Sequence, residues 1–333
     1  MNVEAILLDI DGVLVDVRKS YLDSIRQTVN LYLEKILLVR SGSKLLLSRQ
    51  DVNQFKLLGG FNNDWDTVYG LLLYLQSLLE KRNKTWEATS IDELRRLKNL
   101  GRLAKRVPYP CGVAEILTLV KDSGSIIYAL AKDMFQEIYL GEKLFRKSYR
   151  RNPLFTKSKG LIHLEKLLIP HSLLAALKKK GVKLGIVTGR TRFEAEVVLK
   201  RFGLRKLFKA LVSHDEVERE EKKRGVSLRK PHPFSLLLCA KKMGVRSFLY
   251  AGDLPDDIRA ANEARKTLRV SSCGVLYGQD SVKIMERRLK EAGADSLIRR
   301  PASLLNLIDQ KRSPTPFHPA KGEIKFRMRR YLL

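Results

Sequence analysis

From Pro170 onward the chain alternates short apolar runs with segments long enough for helices, and few folds admit that pattern. Val182 to Val187, Ala210 to Ser213, Ser247 to Ala251 and Leu268 to Leu276 read as strands. His171 to Lys180, Phe193 to Phe202, Pro233 to Met243, a segment from about Pro255, and Val282 to Glu291 read as helices. Gly181 stops one helix and Pro233 opens another. Strands of this kind, each followed by a helix, specify a parallel sheet covered by helices.

A further strand lies far upstream. Ala5 to Leu8 is an apolar run that ends abruptly in Asp9-Ile10-Asp11-Gly12-Val13. Gly12 lets the chain turn sharply as it leaves the sheet. Between this strand and Pro170, residues 19 to 165 read as almost entirely helical. Val68, Leu71, Leu72, Leu75, Leu78 and Leu79 mark one helix face; Val113, Ile116, Leu117 and Val120 a second; Met134, Phe135, Ile138 and Phe145 a third; all three stripes read as helix-bundle core. The fold class expected is therefore α/β, a Rossmann-like parallel sheet core with an inserted all-helical domain. The boundaries expected are 1–17 plus 168–310 for the core, 18–167 for the insertion and 311–333 for a basic C-terminal tail.

The charge balance matters next: 64 Lys and Arg against 36 Asp and Glu give +28. Such a field attracts phosphorylated substrates and polyanions but says nothing of fold. The tail, with Pro314, Pro316 and Pro319 before Lys325 to Arg330, reads as flexible or loosely docked. A weak nucleic-acid or polyanion contact is its sharper alternative. Cys111, Cys239 and Cys273 are far apart and in no Cys-x-x-Cys spacing, so a disulfide framework or zinc site is not expected and a cytoplasmic setting is. No apolar stretch reaches the length of a membrane span, and no signal-peptide pattern opens the chain.

Four segments share one expected location, the C-terminal edge of the sheet, where ligands bind in open α/β folds. They are Asp9-x-Asp11, Thr188-Gly189-Arg190, Lys230-Pro231 and Gly252-Asp253-Leu254-Pro255-Asp256-Asp257. Taken singly, each has a bland account. Thr-Gly-Arg is often a turn, Gly-Asp before a helix is often an N-cap, and Asp-Gly is common where a strand ends. Two acids that close repel, so a divalent cation is the expected compensation.

Taken together, these motifs resemble those of the haloacid dehalogenase superfamily, in particular its phosphatases with a helical cap inserted after the first motif and a phosphoglycolate-phosphatase-like core. The resemblance covers the core, about half of the chain. It implies that Asp9 is the nucleophile, forming an aspartyl-phosphate, and that Asp11 is the general acid and base. It implies Mg2+ held by Asp9, the backbone carbonyl of Asp11 and Asp253, with Asp257 as a further ligand, a holder of a metal-bound water or a partner of Lys230. Asp256 competes with Asp257. Thr188, with the N–H groups from Gly189 on, would bind phosphoryl oxygens, and Lys230 would neutralise charge there. Lys222 and Lys223 are rivals of Lys230, and Arg190 either meets substrate or pairs with a carboxylate.

In the helical insertion, Asn62, Asn63 and Asp64 either cap a helix or face the substrate, with Trp65 packed beside them. His163 and His171 read as structural. The activity expected is hydrolysis of a small phosphorylated metabolite. A phosphomutase, a nucleic-acid-end phosphatase or a nucleic-acid binder on the same scaffold are the alternatives. Asp11 favours ester hydrolysis, because dehalogenases of this type lack an acid there.

Overall fold

A computed structural model describes residues 3–61, 63–109, 111–121 and 124–309. The expected basic tail, 311–333, and Asn62 lie outside the described residues. The chain opens with β1 (Ala5–Leu8) and β2 (Val15–Asp16). Then come α1 (Tyr21–Lys35), α2 (Arg49–Lys56), α3 (Asp64–Glu80), α4 (Ile91–Leu97), α5 (Leu100–Ala104), α6 (Val113–Leu117) and α7 (Tyr128–Tyr149). The return begins with β3 (Lys166–Leu167), α8 (His171–Lys179), β4 (Lys183–Val187), α9 (Arg192–Arg201), β5 (Ala210–Val212) and α10 (His214–Arg224). It continues with α11 (Phe234–Met243), β6 (Ser247–Gly252), α12 (Pro255–Ala264), β7 (Arg269–Val275), α13 (Val282–Glu291), β8 (Ser296–Ile298) and α14 (Ser303–Asp309).

Two compact units divide the chain, with breaks between Asp16 and Val17 and between Glu165 and Lys166. In the first, six strands form one sheet in the order β5-β4-β1-β6-β7-β8, and every neighbouring pair is parallel. The strand nearest the N-terminus thus sits at the centre, flanked by strands from well over a hundred residues later. Leu7, Phe248, Tyr250, Leu236, Leu237 and Val270 belong to one buried cluster beneath α11 and α12. Each such side chain contributes about 1.5–3 kcal/mol by leaving water. β2 and β3 pair antiparallel where the chain leaves this unit and comes back. Side-by-side exit and return let a long insertion sit in the chain without breaking the sheet.

The second unit is helical. Its α3 is buried from Gly70 through Leu75, on all sides rather than along one stripe. It is a central helix, which is why the apolar face read from Val68 and Leu71 understated it. α7 is buried at Met134, Phe135, Ile138 and Phe145, and Tyr139 stacks on Tyr21 at 4.4 Å between ring centres. The buried Glu137 carboxylate accepts the backbone N–H groups of Leu154, Phe155 and Thr156, at 2.6, 2.7 and 3.1 Å. The stripe from Val113 to Val120 is not core. α6 ends at Leu117 after five residues, and of its four apolar positions only Ile116 is buried. Among the described residues no helix is long and apolar enough to cross a membrane.

Candidate active site

Because the strands run parallel, β1, β4, β6 and β7 deliver the residues that follow them to one edge of the sheet. The ladder carries a residue past two of these strand ends. The Asp9 N–H donates to Ala251 O at 3.0 Å, and the Thr188 N–H to Val212 O at 3.0 Å. Backbone pairing therefore fixes the point at which each side chain leaves the main chain.

The carboxylates of Asp9, Asp253 and Asp257 converge, with a ligand oxygen from each within 4.8 Å of the others, and all three residues are buried. Two glycines make this possible. Gly12 has φ +70, and a Cβ there would stand 2.1 Å from Asp253 Oδ2. At Gly252 a Cβ would stand 2.2 Å from the Asp257 Cβ. No side chain fits either place without moving an acid.

Lys230 binds this centre together. Its Nζ donates to Asp257 Oδ1 at 2.7 Å, to the Tyr250 hydroxyl at 2.5 Å and to Asp9 Oδ2 at 3.2 Å. All three ammonium protons are thereby used. Asp257 is likewise engaged. Its Oδ1 also accepts the Tyr250 hydroxyl at 2.8 Å, and its Oδ2 accepts the N–H groups of Asp253 and Leu254 at 3.1 and 3.0 Å. The Asp257 carboxylate thus caps α12 and aims Lys230. Asp256, the rival neighbour, pairs with Arg259 at 3.2 Å instead.

Burial pushes the Asp9 carboxyl up to about 7, with Asp257 and Asp11 adding to the rise; Lys230 and the Ile10 N–H pull against it. Burial alone would lower the Lys230 ammonium. The Asp257 and Asp9 carboxylates more than offset that and hold it above its ordinary value. Burial, then Asp257 and Asp9, likewise raise the Tyr250 hydroxyl. A cation seated against Asp9 would reverse the first effect by restoring its charge. The donor set, hard carboxylate oxygens drawn from several strand ends, suits a small divalent ion.

Asp11 does not join the acidic cluster. Its Oδ1 accepts Arg190 Nε at 2.9 Å and Nη2 at 2.6 Å. Of the two roles open to Arg190, the structure shows the carboxylate pair. Thr188 lies beside it, and its Oγ1 accepts the Arg190 N–H at 3.2 Å. That bond takes one of the backbone donors expected to serve a phosphate. Among the described residues no protein acceptor meets the N–H of Gly189. Among the described residues Lys222 and Lys223 make no bond to this centre. They are exposed on α10, beside Glu218 and Glu220 at 3.3 and 3.5 Å.

The helical unit settles less. Asn63 caps α3: its Oδ1 accepts the Asp66 N–H at 2.7 Å and its Nδ2 donates to Asp66 Oδ2 at 2.6 Å. Asp64 pairs with Lys56 at 2.5 Å, and Trp65 is buried under the Lys132 ammonium, 4.8 Å from the ring centre. Both polar side chains are engaged inside their own unit. His163 and His171 are exposed.

Two residues at the acidic centre escaped the sequence reading. Gln279, in the loop after β7, donates from Nε2 to Asp253 Oδ2 at 2.7 Å. No local pattern marks it. Tyr250 was readable in principle, since a tyrosine inside a fully buried strand needs a partner for its hydroxyl.

A family model of haloacid dehalogenase-like hydrolases matches residues 3–265, most of the chain. The chain belongs to that family of hydrolases. Phosphoglycolate phosphatase of Escherichia coli (strain K12) is 34% identical over 115 residues, 33% of this hydrolase and 40% of that enzyme's length. This hydrolase therefore spans well under half of that relative. A longer match, 24% identical over 325 residues, covers 97% of this chain and 52% of a Phytophthora nicotianae protein named imidazoleglycerol-phosphate dehydratase. The crystal structure of a predicted phosphoglycolate phosphatase from Haemophilus somnus 129pt superposes with TM-score 0.53, covering 92% of this chain and 98% of its own at 17% identity. That likeness supports the shared fold.

Proposed function

We propose that this hydrolase is a Mg2+-dependent phosphatase acting on a small phosphomonoester through an aspartyl-phosphate. The observation that carries the reading is Lys230, which reaches both Asp9 and Asp257 at the meeting point of three buried carboxylates. Asp9 attacks phosphorus while Asp11 passes its proton to the departing ester oxygen. The alcohol leaves and the phosphoryl group stays on Asp9. Asp11 then takes a proton from a water whose oxygen attacks the same phosphorus, which frees Asp9 as a carboxylate and releases inorganic phosphate. Thr188 and the Gly189 N–H hold phosphoryl oxygens near the start of α9, and Lys230 offsets their charge. Asp9, the Asp11 carbonyl and Asp253 would hold Mg2+, with Asp257 aiming Lys230 at the same place. When bound, the ion supplies positive charge to the phosphoryl oxygens.

The helical unit, 17–165, would act as the cap of this core. The reducing, cytoplasmic setting stays part of the proposal, and in it the three buried cysteines would remain thiols. The relatives' names suggest the first esters to try, phosphoglycolate and imidazoleglycerol phosphate. The test is release of inorganic phosphate from a panel of phosphomonoesters with Mg2+ or EDTA, for the wild type and Asp9→Asn. Release that needs Mg2+ and disappears in the variant supports the proposal. Undiminished turnover in Asp9→Asn refutes it, and transfer of phosphate within the substrate without release would indicate a mutase.

A further inference from the structure

We infer that Arg190 is a positioning residue for proton transfer: it grips one oxygen of Asp11 and leaves the other to carry the proton. The inference rests on the phosphatase reading and adds a residue to it. Both bonds from the Arg190 side chain to Asp11 go to the same oxygen, Oδ1, from Nε at 2.9 Å and from Nη2 at 2.6 Å. Among the described residues Asp11 Oδ2 meets no other protein donor. The Asp11 side chain is 30% exposed, whereas that of Arg190 is 0% exposed. An arginine so enclosed presents no surface to a substrate, but it can hold a neighbour that does.

Arg190 is itself held at its backbone. Its N–H donates to Thr188 Oγ1 at 3.2 Å, and its carbonyl accepts the His214 N–H at 2.8 Å. The phosphate-side hydroxyl and the proton-transfer acid are thus set by one residue. A proton moves efficiently only when donor and acceptor sit within hydrogen-bond reach, so a carboxyl pinned at one oxygen presents the other in a fixed direction. Lysine keeps the charge but cannot place two donors on one oxygen in a rigid plane.

In the first half-reaction the proton leaves Oδ2 for the ester oxygen as the P–O bond breaks, and the alcohol departs neutral. An alkyl alcohol needs that proton, whereas nitrophenolate leaves without it. The experiment therefore follows the first turnover of nitrophenyl phosphate and of glycerol phosphate with Mg2+, in the wild type, Arg190→Lys and Arg190→Met. We expect alcohol release from glycerol phosphate to fall by roughly 10²-fold in the variants, while the nitrophenolate burst stays within a few-fold of wild type. On an Asp11→Asn background, Arg190→Lys should add no further loss.

Equal slowing of both esters would overturn the inference, because a role in phosphate binding or in the fold treats the two alike. Unchanged rates for both would overturn it as well. If Arg190→Met does not fold, Arg190→Lys and the Asp11→Asn background still decide the matter. A wild type inert toward every phosphomonoester would sink the phosphatase reading itself, and the inference with it.

Discussion

Lys230→Met takes a buried ammonium away from the carboxylates of Asp9 and Asp257 and leaves a side chain of similar length. Lys230 and those two acids are 14%, 11% and 2% exposed at their side chains, so water cannot replace the lost charge. Removing one member of a buried ion pair costs about 3–5 kcal/mol. For a unit of this size each kcal/mol is worth roughly 2–4 °C, so the metal-free variant should melt about 6–20 °C below wild type. The assay is thermal unfolding by circular dichroism in EDTA and in excess Mg2+, above the pH range in which Asp9 titrates. A cation brings back positive charge, so the deficit should shrink in Mg2+. A loss in EDTA too small to measure, or the same loss with and without Mg2+, would refute the reasoning.

Other outcomes follow from the same geometry. The Asp9 carboxyl is raised from 3.8 to about 7, so its contribution to metal-free stability is full below 3.8 and is lost as pH rises through about 7. Saturating Mg2+ should flatten that part of a stability-against-pH profile recorded by chemical unfolding. Glu216 is lowered to about 2: burial works against this, and bonds from Ser213 and Lys242 outweigh it. Its contribution is present above 4.5 and fades as pH falls through about 2, so Glu216→Gln should give a shallower acid limb in the same profile. Gln279→Ala should weaken Mn2+ binding, measured by calorimetry, by roughly 10–100-fold, since a ligand carboxylate loses the donor that orients it. Asn63→Ala should cost about 1 kcal/mol through the lost helix cap and leave Mn2+ binding unchanged.

The parts of the site that sequence made legible share a physical cause. A buried parallel strand has to be apolar on both faces, so its end is conspicuous when Asp9, Thr188 or Asp253 follows it. The same cause exposed β1, β4, β5, β6 and β7 within a residue or two of their observed bounds. α10 was hidden for the opposite reason. Its sequence, HDEVEREEKKR, has almost no apolar face, and only His214 and Val217 are buried, so nothing periodic announces a helix between β5 and α11. The choice between Asp256 and Asp257 needed coordinates, because it turns on which carboxylate folds back onto the N–H groups of Asp253 and Leu254. Gln279 acts across a gap of 26 residues, from a loop whose course is set by the packing of β7 rather than by any local signal. Arg190 stood in a motif already singled out, but a separation of 179 positions from Asp11 kept its partner out of reach of sequence spacing.

Trapping the phosphorylated protein tests the central claim most directly. The hydrolase is mixed with a phosphomonoester it turns over, quenched in acid within the first turnover, digested and mapped by mass spectrometry. A phosphoryl group on the peptide that contains Asp9, absent in Asp9→Asn, is the result expected. Continued hydrolysis with no phosphoryl group on that peptide, or with the group on another residue, would contradict the account.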